Sequence, residues 1–220
     1  MIQNMSYITE RRVEEKERRR NEILDAAEIL YAKEGWDAVT MDQIARGARL
    51  SRALVYVYFR DKEELLFAIG ERAMHELRSR FVAAAAGQTL GMDKVQAIGR
   101  AYMTYAYELP HYFDVCSRFN QHGDAADAGT TASDCGAAGD LAIAEVVKAI
   151  EVGKQDGSVR ADVGDSMLLA LSLWAFTHGI IQIATSKAKE FERMGVPSHQ
   201  VIDYAFGLIR QMVTARTLKI

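Results

Sequence analysis

The sequence predicts an all-α fold, and three features carry that prediction. Only two prolines occur in 220 residues, and proline removes a backbone donor and clashes inside helices, so long helices run unbroken. The strong helix formers Ala, Leu, Glu and Arg are abundant. Apolar residues recur at three- and four-residue spacing over most of the length. With 49% apolar residues, a chain of this size buries a real core.

The elements follow in order. After a lead-in charged with both signs, Ile23, Leu24, Ala27, Leu30 and Tyr31 fall on one helical face, and Gly35 suits the helix end. Thr40 and Gln43 form a capping box that opens a second helix at Met41, which buries Ile44 and Ala48. Gly47 and Ala48 let another helix come close. Ser51 caps a third helix. Its stretch Val55-Tyr56-Val57-Tyr58-Phe59 alternates like a strand, but nothing nearby would pair with it, and a lone strand leaves its backbone unsatisfied. As a helix it buries Val55 and Phe59 on one side and shows Arg52 and Tyr56 on the other. Asp61, with Glu64 three residues on, caps a fourth helix through Leu77.

Beyond residue 78 an Ala-rich junction leads to a helix over 93–109, which Pro110 ends while starting a short one. Residues 120–140 are rich in Gly, Ala and Asp without large apolar side chains, and predict a loop. Helices over 140–155, 163–187 and 198–216 complete the chain. The run 167–183 is nearly all apolar, but Ser172, Thr177, His178 and Gln182 interrupt it; a buried helix or a subunit interface is expected, not a membrane span.

Charge and cysteine content narrow the function. The formal net charge is -3, and residues 1–65 hold 12 Lys and Arg against 13 Asp and Glu, so no global excess points to nucleic acid. A local patch exists: Arg46, Arg49, Arg52, Arg60 and Lys62 face only Asp61 between positions 46 and 62, and a patch suffices for binding. The start of the chain shows neither a secretory signal nor a lipid anchor, which predicts a cytoplasmic protein. Cys116 and Cys135 then read as reduced thiols. With His111 and His122 their spacing is too irregular for a metal site, so no metal or cofactor is expected. No phosphate loop, HExxH or GxSxG is present, and the chain is not expected to be an enzyme.

Two short helices joined by a tight turn, the second with outward polar residues, suit the DNA major groove. Tyrosine hydroxyls donate to phosphates, and the sequence offers Tyr56 no structural role of equal merit. Lys62 opposes the dipole of the helix it opens, which makes sense beside a phosphate. Thr40 serves equally as a cap, and Tyr58 as packing.

The string EGWDAVTMDQIARGARLSRALVYVYFRDKEEL resembles the DNA-binding region of the tetracycline-repressor-like (TetR/AcrR) transcriptional regulators over residues 20–68. The resemblance implies a DNA-binding domain over 1–65, with its helix-turn-helix at about 41–59, and an effector-binding and dimerisation domain over 66–220. It implies phosphate contacts from Thr40, Tyr56, Tyr58 and Lys62, with Arg49, Ser51, Ala53 and Leu54 near the groove. The chain departs from the family's Ala-Gly-Val-Ser: Arg49 adds a cation to the turn, and Arg52 takes a base-contacting position suited to guanine, with roughly 1–3 kcal/mol of discrimination if bidentate.

For the second domain the resemblance implies a homodimer through the last two long helices, placing recognition helices roughly 34 Å apart on an operator. Leu168, Leu171, Ala175, Gly179, Ala205, Leu208, Ile209 and Met212 are the candidates, with core packing as the alternative. It also implies a pocket for a small effector. Tyr102, Met103, Tyr107, Phe113, Phe119, Trp174, Phe176, His178 and Gln182 form an aromatic set suited to an apolar or aromatic ligand, though each also suits an ordinary core. The expected function is a ligand-released repressor on a palindromic duplex, coupled through the fourth helix, 62–80. The alternative is an α-helical small-molecule binding protein whose helix-turn-helix is not used on DNA.

Overall fold

The structure is a computed structural model and describes residues 2–118 and 129–214, with side chains from Arg11 onward. The described residues are helical: α1 (Ile2–Glu34), α2 (Met41–Gly47), α3 (Arg52–Tyr58), α4 (Lys62–Ala86), α5 (Gly91–Glu108), α6 (Pro110–Arg118), α7 (Thr131–Asp156), α8 (Ser166–Ser186), α9 (Ala188–Arg193) and α10 (Ser198–Val213). Among them no strand forms beyond one isolated antiparallel bridge, Val159 to Thr214.

The chain divides into two compact units, and the division falls inside α4 after Ala73. The first unit also contains α6. Its core joins Ile23, Leu24 and Tyr31 of α1, Ile44 of α2, Val55 of α3 and Phe59 just after it to Leu65 and Ile69 of α4 and Val115 of α6. A boundary at residue 65 therefore cuts a single hydrophobic cluster. The opening turns of α4 bury apolar side chains there, and α6 supplies a residue distant in sequence.

The second unit contains α5, most of α7, and α8 to α10. Here α5 begins against the backbone of α7: a Cβ on Gly91 would stand 1.9 Å from the Gly153 nitrogen. The turn that stops α7 also caps α5, since the Gly91 N–H donates to Asp156 Oδ2 at 2.7 Å and the Met92 N–H to Ser158 Oγ at 3.0 Å.

Two expectations are corrected. The loop predicted over 120–140 gives way to helix from Thr131, while 119–128 lie outside the described residues. The helix forms on small side chains: Cys135, Ala138 and Ala142 recur at helical spacing and are buried, and the Thr130 hydroxyl accepts from the Ser133 N–H at 3.2 Å. The short α9 after Lys187 carried no periodic apolar stripe to announce it. Among the described helices, α8 has the length and apolarity of a membrane span by those criteria, yet only 22% of that stretch is buried.

Candidate nucleic-acid interface

Residues 40–62 build the candidate interface. Thr40 and Gln43 make the full reciprocal cap of α2: the Gln43 N–H donates to Thr40 Oγ1 at 3.3 Å, and the Thr40 N–H donates to Gln43 Oε1 at 2.8 Å. Gln43 Nε2 donates onward to Glu34 Oε2 at 3.0 Å, tying the start of α2 to the end of α1. Gly47 faces α1 closely, its missing Cβ position lying 3.3 Å from Ala26 Cβ.

The turn that follows is a Schellman closure. The Leu50 N–H reaches the Ala45 carbonyl at 2.9 Å and the Arg49 N–H reaches that of Arg46 at 3.1 Å. Such a closure needs a left-handed residue, usually glycine. Arg49 fills that place at φ 58, the one non-glycine residue with positive φ among the described residues. A cationic side chain is thus held at the turn against conformational preference, at a cost of roughly 1–2 kcal/mol.

Ser51 caps α3, its Oγ accepting from the Leu54 N–H at 3.2 Å. Val55 is fully buried, Leu54 and Tyr58 are half-buried, and Ser51, Arg52, Ala53, Tyr56 and Val57 are exposed. Arg52 is not loose: it pairs with Asp42 of α2 at 3.1 Å and lies over the Tyr56 ring, 5.5 Å from its centroid. The Tyr56 hydroxyl contact with the guanidinium, with Asp42 beside it, raises the Arg52 pKa.

Lys62 differs from its sequence reading. Its ammonium donates to the carbonyl of Trp36 and lies 4.9 Å from the Trp36 ring centroid. It thus has the structural partner that the sequence did not reveal, and burial lowers its pKa. Tyr58 packs against the first unit's core. Thr40, Arg49, Ser51, Arg52, Ala53 and Tyr56 remain open to a partner. Asp42 and Val57 are exposed in the same region and were not singled out from the sequence. Asp42 needs the packing of α2 on α3 to be seen, whereas the outward direction of Val57 was available from its helical spacing.

Residues 23–69, which span this whole region, match the family model for bacterial regulatory proteins of the tetR family. The likeness to the tetR family is carried by those residues. The regulator HbdR of Aromatoleum sp. (strain CIB) is 45% identical over 51 residues, 23% of this chain and 22% of HbdR, so the match spans under a quarter of that relative. A Rhodococcus sp. RHA1 protein of unknown function superposes with a TM-score of 0.73 at 23% identity, over 90% of this chain and 96% of its own. AibR, crystallised with isovaleryl coenzyme A and operator DNA, superposes with a TM-score of 0.64 at 19% identity, over 87% and 97% of the two chains. At these identities the two structural likenesses concern fold alone.

The second unit holds a cavity of about 50 Å³, lined by Phe81 of α4, Gln96 and Tyr102 of α5, Val146 of α7, Trp174 of α8 and Phe206 of α10 among others. Of the candidates named from the sequence, Tyr102 and Trp174 line it. His178 reaches the site through Tyr102, its Nδ1 hydrogen-bonded to the tyrosine hydroxyl at 2.7 Å, and burial holds its pKa low. The remaining candidates do not line this cavity. Met103 is only half-buried, Tyr107 is 53% exposed, Phe176 and Gln182 are exposed, Phe113 is buried in the first unit, and Phe119 lies outside the described residues. Helical spacing on α5 and α8 could not say which flank turned inward.

The candidates on α8 and α10 also divide. Leu168, Leu171, Ala175 and Met212 are exposed, Gly179 and Leu208 half-buried, while Ala205 and Ile209 are buried within their own unit and belong to its core. Among the described residues no group of three or more His, Cys, Asp or Glu side chains is placed to hold a metal ion.

Proposed function

We propose that this protein is a ligand-responsive transcriptional repressor, a cytoplasmic homodimer that grips a palindromic operator through α3 and releases it when a small, largely apolar or aromatic effector binds the C-terminal unit. The observation that carries the reading is the exposed set Thr40, Arg49, Ser51, Arg52, Ala53 and Tyr56 on two capped helices joined by a tight turn. Phosphate contacts fix register, and Arg52 reads a guanine once its fork turns from Asp42 toward a base edge. That AibR was crystallised with both an acyl coenzyme A and its operator supports pairing the two kinds of partner on this fold.

Dimerisation accounts for the apolar face of α8. Leu168 is 67% exposed and Met212 of α10 54% exposed, and burying such side chains contributes about 25 cal/mol per Å². The cavity, lined mostly by aromatic and aliphatic side chains, supports a site for a small apolar guest in this unit. Such a guest binds one state better than the other and shifts the population. Phe81 in the cavity lining and Lys62 beside Trp36 are both on α4, which makes this helix the natural lever.

Selection of duplexes from a random pool tests the reading, with Arg52→Ala and Tyr56→Phe run beside the parent. An enriched inverted repeat is expected, with relaxed sequence preference for Arg52→Ala and uniformly weaker binding for Tyr56→Phe. No enrichment at low salt refutes it.

A further inference from the structure

We propose that Val57, with Ala53 one turn before it, reads thymine through the 5-methyl group, so that the operator half-site places a thymine opposite the centre of α3. This inference rests on the DNA-binding reading above and adds a base class to it.

Geometry and exposure point the same way. At about 100° per residue, Ala53 and Val57 straddle the direction opposite Val55, the fully buried anchor of α3. They therefore form the part of the helix directed farthest from its own core, whereas Arg52 and Tyr56 lie on the flank toward Asp42 of α2. Val57 is 75% exposed, the largest value among the exposed large hydrophobic side chains of the described residues. It follows Tyr56 on the exposed side of α3, where a solvated surface would favour a polar side chain.

Chemistry then selects the base. Base edges in the major groove are donors and acceptors except for the thymine methyl. A valine pressed on guanine N7 and O6, or on cytosine N4, would strip water from polar groups and return no hydrogen bond. Against a thymine methyl both partners are apolar and both leave water. Arg52 on the flank takes a guanine nearby once its fork turns from Asp42, so the same two helical turns discriminate by a charged fork and by an apolar contact.

The test uses the full-length protein and the inverted repeat enriched from the random pool. Each thymine of one half-site is exchanged in turn for deoxyuridine, which removes the methyl and leaves pairing and hydrogen-bonding groups unchanged. Binding is followed by fluorescence anisotropy for the parent, Val57→Ala and Val57→Thr. At one or two positions the exchange is expected to weaken parent binding about fourfold, the factor for one buried methyl-sized group. Val57→Ala is expected to bind the thymine duplex more weakly by a similar factor and to be indifferent to the exchange at those positions, while Val57→Thr, which keeps a methyl, retains part of the sensitivity. Circular dichroism checks that the variants remain folded.

Equal deoxyuridine effects in parent and Val57→Ala, or none in the parent, would overturn the inference and leave the regulator reading standing. A half-site enriched without any thymine would do the same. Failure to enrich any duplex removes both.

Discussion

Arg118 grips both carboxylate oxygens of Asp37, Nη1 to Oδ1 at 2.9 Å and Nη2 to Oδ2 at 3.2 Å, and its Nε reaches Asp114 at 2.8 Å. Asp37 lies in the short turn Trp36–Ala38 just before the helix-turn-helix, so α6 is bound to the backbone that presents α2. The hydrogen bonds from Arg118, and then its charge, lower the Asp37 pKa. A carboxylate whose pKa is lowered on folding favours the folded state above the ordinary aspartate range, near 4, and loses that contribution as pH falls through the lowered value. Asp37→Asn should therefore melt lower than the parent at neutral pH, and the difference should begin to shrink near pH of about 4 and vanish only at still lower pH. Because Asp37 is well exposed, added salt should also shrink it. Thermal unfolding across pH and salt checks both.

Tyr31 extends the same network, its buried hydroxyl donating to Asp114 Oδ2 at 2.6 Å. Tyr31→Phe keeps the ring in place and removes one charge-assisted bond. A loss of about 1.5 kcal/mol is expected from urea unfolding.

Arg49→Gly is expected to stabilise the fold. Relief of the left-handed backbone, less the added freedom of the unfolded chain, should leave a net gain of about 0.5–1 kcal/mol. Under the DNA-binding reading the same variant binds operator more weakly and with a shallower salt dependence, because one phosphate-facing cation is gone. Chemical denaturation and a salt titration of binding separate the two effects.

Gly91→Ala should behave oppositely to most glycine replacements near helices. Alanine is ordinarily favoured by about 1 kcal/mol within a helix. Here its Cβ would lie 1.9 Å from the Gly153 nitrogen and 2.7 Å from the Ala149 carbonyl oxygen, backbone that has no side chain to swing aside. A destabilisation of about 3 kcal/mol in urea is expected.

His178 supplies a second pH dependence, of the reverse chemical kind. Burial lowers its pKa, so the unfolded chain takes up a proton first as pH falls through about 6.5. Stability should drop as pH falls below about 6.5, and His178→Gln should remove part of that slope. Comparing unfolding midpoints of the two proteins over this range is the check.

The helix-turn-helix was legible because its signals are local. Thr40 with Gln43, Ser51 as a cap, and Val55 and Phe59 four residues apart all act within one or two turns. What stayed hidden depends on segments far apart in sequence: Asp37 with Arg118, Gly91 with Gly153, Lys62 with Trp36. The start of α7 was missed for another reason. Its buried stripe is Cys135, Ala138 and Ala142, and small side chains give a weak apolar signal even when they pack well.

The place of Val115 in the first unit's core bears on how the chain is made. A ribosome releases α1 to α4 well before α6, so the amino-terminal unit emerges with a gap in its interior and without the Arg118 clamp. The unit closes only after residue 118 has left the exit tunnel. A fragment ending at Ala73 would stay in that unfinished condition permanently, and a nascent regulator would hold it briefly at each round of translation.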